Sequence, residues 1–243
     1  MVMGLGVARW GWDRQVRVFS RHFRVITYDH RGTGESSLPD GDYGMPELAG
    51  DALQLLDFLG VERAHVVGVS MGGYIAQTLA IERPQRVDRL VLCSTSCGGP
   101  AAARPDPELW RDFLRLRELP SERAFEVALR AFFGPDFRRE HPRLAAAVVR
   151  RHLGSGTPPR TFLLQGRACA RFDESARVGR IEAPTLVCHG TADALCPVEN
   201  GRLLASVIPG ARLVLYEGAG HSPVIERARE FNRDVIGFLR EGS

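Results

Sequence analysis

Short apolar runs recur along the chain, each closed by a glycine-rich or polar stretch and followed by apolar residues at helical spacing. Met1-Val2-Met3 is a strand stub that leads into Gly4-Leu5-Gly6, and Trp10 to Phe19 predicts a helix with Trp12, Val16 and Phe19 on one face. Phe23 to Tyr28 predicts a strand, closed by the polar stretch Asp29 to Ser36. Leu48, Ala52, Leu55, Leu56 and Leu59 then recur at helical spacing, and Gly60 supplies the stop. His65-Val66-Val67 is the next strand; the helix after it, Tyr74 to Arg83, buries Ile75, Ala76, Leu79 and Ala80 and ends before Pro84. Arg89 to Cys93 follows as a strand. The rhythm resumes with Thr185 to Cys188, a helix near Val198 to Ile208, the strand Arg212 to Tyr216, and a last helix carrying Phe231, Val235, Ile236 and Leu239. Strands that are apolar throughout, each followed by a helix, predict an α/β fold whose parallel sheet is covered on both faces.

Between Cys97 and about Glu182 the alternation stops. Proline-punctuated helical patterns carry Trp110, Phe113, Phe125, Phe132, Phe133, Phe137 and Phe162. A helical insert that interrupts a βα rhythm usually covers something. Residues 97–182 are therefore expected to form a helical cap, inserted before the last two strands of a core made of 1–96 and 183–243.

Composition narrows the picture. A chain of 243 residues, 44% hydrophobic, suits one large core. Its 32 basic and 29 acidic residues are interspersed, and no basic tract of the kind that nucleic acid requires is present. Cys93, Cys97, Cys169, Cys188 and Cys196 form no C-x-x-C pair, and they read as reduced, mostly structural thiols of a cytoplasmic protein; Cys196 stands out for its nearness to Asp193. The seven histidines show no metal-ligand spacing, so no metal or other cofactor is expected. No apolar run is long enough to span a bilayer.

Candidate chemistry starts at Gly68-Val69-Ser70-Met71-Gly72-Gly73, a serine between glycines at a strand-to-helix junction. So tight a turn leaves no room for a Cβ beside the serine, and it presents the Ser70 hydroxyl and the Met71 N–H at a helix N-terminus. The alternative is a turn whose serine only caps the helix. In an open parallel sheet, ligands bind beyond the carboxyl ends of the strands. Those loops hold Leu5, Ser70, Asp193 and His221. A serine needs a base in reach, and the base needs a carboxylate to set its tautomer. His221 is the only histidine in a glycine-rich loop at a strand's carboxyl end, whereas His189 is expected to pack or bond locally and His30 to serve a polar turn. Asp193 is the favoured acid because no carboxylate follows the strand ending at Cys93, although it could instead cap the next helix. Met71 N–H and Leu5 N–H are the candidate oxyanion donors, with an ordinary βα turn as the other reading of Gly4-Leu5-Gly6.

With M-G-L-G, D-x-R-G-x-G-x-S at Asp29 to Ser36, G-x-S-M-G-G, D-x-x-x-P at Asp193 to Pro197 and G-H-S-P in this order, the chain resembles the α/β-hydrolase superfamily along its whole length. Within it, R-P-Q-R-V-D-R-L-V-L-C-S-T and F-F-G-P-D-F-R are most similar to the 3-oxoadipate enol-lactonase-like carboxylic-ester hydrolases. The resemblance implies an acyl-enzyme on Ser70, with His221 as base, Asp193 as orienting acid and Leu5 and Met71 as oxyanion donors. The expected substrate is a small ester or lactone, with no nucleic-acid or membrane partner. Carbon–carbon bond hydrolases, cofactor-free perhydrolases or haloperoxidases, and low-turnover small-molecule receptors share the fold and the triad. The first of these usually carry G-N-S-M-G-G where this chain has Val69 before the serine. Family members also begin with two further strands. Without them the strand ending at Tyr28 has a bare apolar edge, from which N-terminal shortening or a homodimer is expected. An acidic lactone would call for an arginine in the cap, where Arg151, Arg160, Arg167 and Arg171 are all available.

Overall fold

The computed structural model describes residues 1–241. A short 3-10 turn at Arg9–Trp12 runs into helix α1 (Asp13–Phe19), and α2 spans Met45–Phe58. Strand β1 (Ala64–Val69) passes directly into α3 (Met71–Glu82), and β2 is Val87–Cys93. The stretch after β2 holds α4 (Pro107–Leu114), α5 (Ser121–Phe132), α6 (Pro135–Glu140), α7 (Pro142–Leu153) and α8 (Pro159–Arg171). Then come β3 (Thr185–Gly190), α9 (Glu199–Val207), β4 (Arg212–Tyr216), the single turn α10 (Pro223–Glu226) and α11 (Ala228–Leu239). Four of the five helices after β2 open on proline, whose missing N–H costs nothing in a first turn.

The four strands pair in the order β1-β2-β3-β4, all parallel. Successive side chains alternate between the two faces. Val66, Leu90, Leu92 and Val187 join Ile75, Leu79 and Leu204 of α3 and α9 in one core. Val67, Val91, Cys93, Leu186 and Cys188 join Trp12, Phe19, Phe231 and Val235 of the α1–α11 layer in another. Both faces are therefore dry, which is why these strands read as unbroken apolar runs. The helices between β2 and β3 lie in the same continuous core as α3, through residues such as Phe113, Ala128, Val149 and Phe162. An antiparallel bridge between Gly98 and Asp173 joins the two ends of that insert.

One predicted strand is corrected. Residues 23–28 form no ladder: Phe23 lies in a bend and 24–28 have no regular structure. Met1 to Met3 supply one bond from the Met1 amino group to Ile26 O (2.7 Å) and a bridge from Val2 to Gly68, too little to organise either neighbour. An apolar groove of about 420 Å³ runs between this segment and β1, walled by Val25, Ile26, Leu55, Val66 and Leu79.

Candidate functional site

The junction between β1 and α3 holds Ser70 at φ 55° and ψ −122°, a conformation that costs a non-glycine residue about 1–3 kcal/mol and persists only where its surroundings enforce it. They do so here. Ser70 N–H donates to Cys93 O (2.9 Å), its carbonyl accepts from Gly73 N–H (2.8 Å) and Thr95 Oγ1 (2.9 Å), and a Cβ on Gly72 would run into the Val2 carbonyl. Gly68 is equally confined, against the Gly72 backbone. The Ser70 side chain makes no capping bond to α3, so the capping reading of this serine does not hold. A Cβ added to Gly4 would lie 3.6 Å from Ser70 Oγ, which puts the hydroxyl against the Gly4-Leu5-Gly6 turn.

Asp193, in the loop after β3, is buried and divides its two oxygens between two tasks. Oδ1 accepts from the backbone N–H groups of Leu195 (2.9 Å) and Cys196 (2.8 Å), while Oδ2 meets His221 Nδ1 at 2.8 Å. Oδ1 thus braces its own loop; α9 begins only at Glu199, with Val198 at its N-cap and no side-chain capping bond, so Asp193 does not cap that helix and is the partner of a histidine. Burial alone would push its pKa up, but the charge of His221 and hydrogen bonds from His189 and His221 outweigh it and hold the carboxyl at about 2. An ionised Asp193 accepts, so Nδ1 of His221 carries the proton and Nε2 is left as the free basic nitrogen. His189, fully buried, bonds through Nε2 to Cys196 O (2.8 Å), the local role expected of it. The Cys196 thiol is buried, and burial raises its pKa well above the usual thiol range, which keeps it protonated and unreactive.

Ser70 and His221 are walls of the same two cavities. Among the described residues no hydrogen bond joins them; such contacts commonly tighten only around a substrate. Leu5 and Met71 are buried at the same place, and among the described residues neither backbone N–H has an acceptor. Two unpaired N–H groups beside a serine hydroxyl are what a developing oxyanion requires.

Several residues that hold this arrangement carry no local signal. Gln165, buried on α8, accepts from Gly6 N–H (2.7 Å) and donates to Thr33 Oγ1 (3.0 Å), so the insert grips the turn that carries Leu5. His30, which the sequence assigned to a polar turn, is buried and bonds through Nε2 to Met3 O (2.8 Å) on the other side of that turn. Glu226 accepts from Gly220 N–H (2.9 Å) and Gly134 N–H (3.0 Å), clamping the His221 loop to the insert; burial pushes its carboxyl up while those N–H groups oppose the shift. Asn200 exchanges two bonds of 2.9 Å with the backbone of Ala103. Each pairing spans a separation in sequence that no periodicity reveals.

The smaller cavity, about 60 Å³, lies among Trp10, Phe132, Val148, His152 and Ile225; the larger, about 280 Å³, among Tyr74, Arg104, Trp110, Phe172 and Asn200. Of the insert's phenylalanines and tryptophan, Phe113 faces both cavities, Phe132, Trp110 and Phe172 one each, and Phe125, Phe133, Phe137 and Phe162 neither. Among the described residues the arginine that lines these cavities is Arg104, in the loop before α4, and not Arg151, Arg160, Arg167 or Arg171. Arg151 is engaged elsewhere, lying over the Trp10 ring and pairing with Asp13 at 2.9 Å.

A family model described as alpha/beta hydrolase fold matches residues 1–228. A protein of Caulobacter segnis named "Putative carbamate hydrolase RutD" is 33% identical over 97% of this chain and 88% of its own length. Among solved structures, a hydrolase from Pseudomonas aeruginosa PA01 is 35% identical, with a TM-score of 0.85 over 98% of this chain and 88% of its own. The enol-lactonase from Burkholderia xenovorans LB400 is 33% identical, with a TM-score of 0.87 over 99% of this chain and 90% of its own.

Proposed function

Because the chain belongs to the alpha/beta hydrolase fold family, we propose that it is a serine hydrolase of small carboxylic esters or lactones, acting through an acyl-enzyme on Ser70. The observation that carries this reading is the buried Asp193–His221 pair at 2.8 Å on the wall of the cavities that Ser70 also lines. In the reaction, His221 Nε2 takes the Ser70 proton as Oγ attacks the carbonyl carbon, and the oxyanion forms against Leu5 and Met71 N–H, each worth around 3 kcal/mol. Collapse breaks the bond to the leaving alkoxide, which takes the proton from His221; in a lactone that alcohol stays tethered to the acyl group. His221 then deprotonates water, which attacks the acyl carbon, and Ser70 leaves with the proton. Asp193 keeps its charge throughout and holds the ring.

The two cavities flanking Ser70 support a substrate divided between acyl and alcohol parts, with residues 97–182 as the cap that closes over it. The same steps would cleave a carbamate, the activity named for the Caulobacter segnis relative. Five cysteines without a disulfide support a reducing, cytoplasmic setting. Self-association along the margin formed by residues 23–28 is checked by light scattering, where a monomer at all concentrations would rule it out. The function itself is tested by screening short-chain aryl esters, enol-lactones and carbamates with wild type and Ser70→Ala. Turnover of an ester or lactone that disappears in the variant is expected; equal turnover by both proteins would overturn the reading.

A further inference from the structure

His152 lies near the end of α7, and its ring forms part of the wall of the smaller cavity, which Ser70 and His221 also line. The side chain is fully buried, and among the described residues neither ring nitrogen has a protein partner. Its ring neighbours are apolar: Phe132 packs edge-on at 5.0 Å and Phe162 lies at 6.3 Å. The backbone of the same residue is engaged, since its carbonyl accepts from Arg117 Nη2 (2.8 Å), and a Cβ on Gly6 of the oxyanion turn would stand 3.5 Å from Cε1. The residue is thus held in place while its two polar atoms go unused. In a wall built only to pack, leucine or phenylalanine would fill this space without burying an unpaired imidazole, so the position asks for a polar partner from outside the protein. Trp10, another wall of the cavity, likewise has its indole N–H buried and unpaired.

Taking the hydrolase reading above as given, the geometry points to His152 as a specificity residue that hydrogen-bonds an uncharged hydroxyl or keto oxygen on the part of the substrate held in the smaller cavity. The indole N–H of Trp10 offers a second donor there. Burial and the nearby Arg117 charge hold the His152 pKa down at about 3, so the ring is neutral at physiological pH, with one N–H donor and one acceptor nitrogen. That pairing suits a hydroxyl, which both donates and accepts, or a ketone, which accepts; a carboxylate would find no positive charge on this ring. At about 60 Å³ the cavity admits only a short chain. A site that buries a polar group discriminates strongly against an analogue that leaves it unpaired.

The test measures kcat/KM for matched pairs sharing one reacting carbonyl. One pair varies the acyl side (p-nitrophenyl butyrate against p-nitrophenyl 3-hydroxybutyrate) and the other the alcohol side (propyl against 2-hydroxyethyl benzoate). Wild type is expected to favour the hydroxylated member of one pair by about tenfold, His152→Phe to lose that preference, and His152→Gln, which can still donate and accept, to keep part of it. A wild-type enzyme with no preference in either pair, or a preference that survives in His152→Phe, would overturn the inference. Melting curves on each variant establish that the comparison is between folded proteins. If wild type cleaves neither the plain nor the hydroxylated esters, the hydrolase reading fails; if it cleaves them with a ratio insensitive to His152, only the role of His152 falls.

Discussion

The two margins of the sheet are built on opposite terms. At the carboxyl ends of the strands, backbone packs on backbone so closely that a Cβ on Gly72 would strike Val2, and Ser70 is kept at a positive φ by bonds from three directions. Beside β1, on the side away from β2, residues 23–28 are held by a single bond from Met1, with a groove where a ladder would run. One margin is over-determined and carries the candidate chemistry, while the other is loosely held and carries none of it. Strain and unpaired N–H groups are tolerated where everything around them is fixed. Substitutions at the first margin should therefore change rate, and those at the second only stability.

The largest expected effects follow from breaking the proposed triad. Ser70→Ala should abolish turnover, and Asp193→Asn should lower kcat by about four orders of magnitude, since the amide reverses the bond to His221 Nδ1. Steady-state kinetics beside calorimetry checks this. Next comes Gly72→Ala, whose new methyl meets a carbonyl that cannot move aside. The cost should be about 3 kcal/mol, or roughly 10 °C in melting temperature, together with most of the activity. Gln165→Ala removes the insert's grip on Gly6 and should lower kcat about tenfold with KM nearly constant, since the oxyanion forms only in the transition state.

Acid should destabilise the protein through two groups at the first margin. Asp193 has its pKa lowered to about 2 in the folded state, so its contribution is present above the unfolded carboxylate range near 4 and is lost as pH falls through about 2. His152 is held neutral down to about 3, whereas the unfolded chain takes up that proton near pH 6.5, so stability falls as pH drops from about 6.5 towards 3. Chemical denaturation of His152→Phe should show a flatter pH dependence across that interval than wild type. The smallest effect belongs to the loose margin. Phe23→Ala, which loses an edge-on contact with His65, should cost about 1–2 kcal/mol and leave kcat/KM within about twofold of wild type.

The same contrast governs what could be read from the chain. Strands β1 to β3 were legible because both of their faces are largely buried, so each is a short apolar run; the edge strand β4 is only partly buried, yet its Leu213-Val214-Leu215 run places it, and Arg212–Tyr216 coincides with its prediction to the residue. Phe23 to Tyr28 has equal apolar character, but a strand is a property of a pair, and its partner supplies only three residues. That Ser70, His221, Leu5 and Met71 would meet at one cavity was legible because each sits at a strand-end loop of distinctive composition. The pairing of Asp193 with a histidine was legible only as one of two alternatives; the other, a cap on the next helix, fails because α9 begins at Glu199. Gln165, Glu226 and Arg104 were not legible at all. A glutamine on an amphipathic helix looks like any other, and only folding shows that it spans 159 positions to reach Gly6.

In the proposed reaction the atom that is acylated is Ser70 Oγ. Rapid mixing of the protein with p-nitrophenyl acetate, followed by acid quench and mass spectrometry of the peptides, tests this directly. An initial burst of about one p-nitrophenolate per chain, with one acetyl group on the peptide containing Ser70 and none in Ser70→Ala, is the predicted result. Turnover without an adduct on Ser70, or an acetyl group on another residue through which the ester is consumed at the full rate, would contradict it.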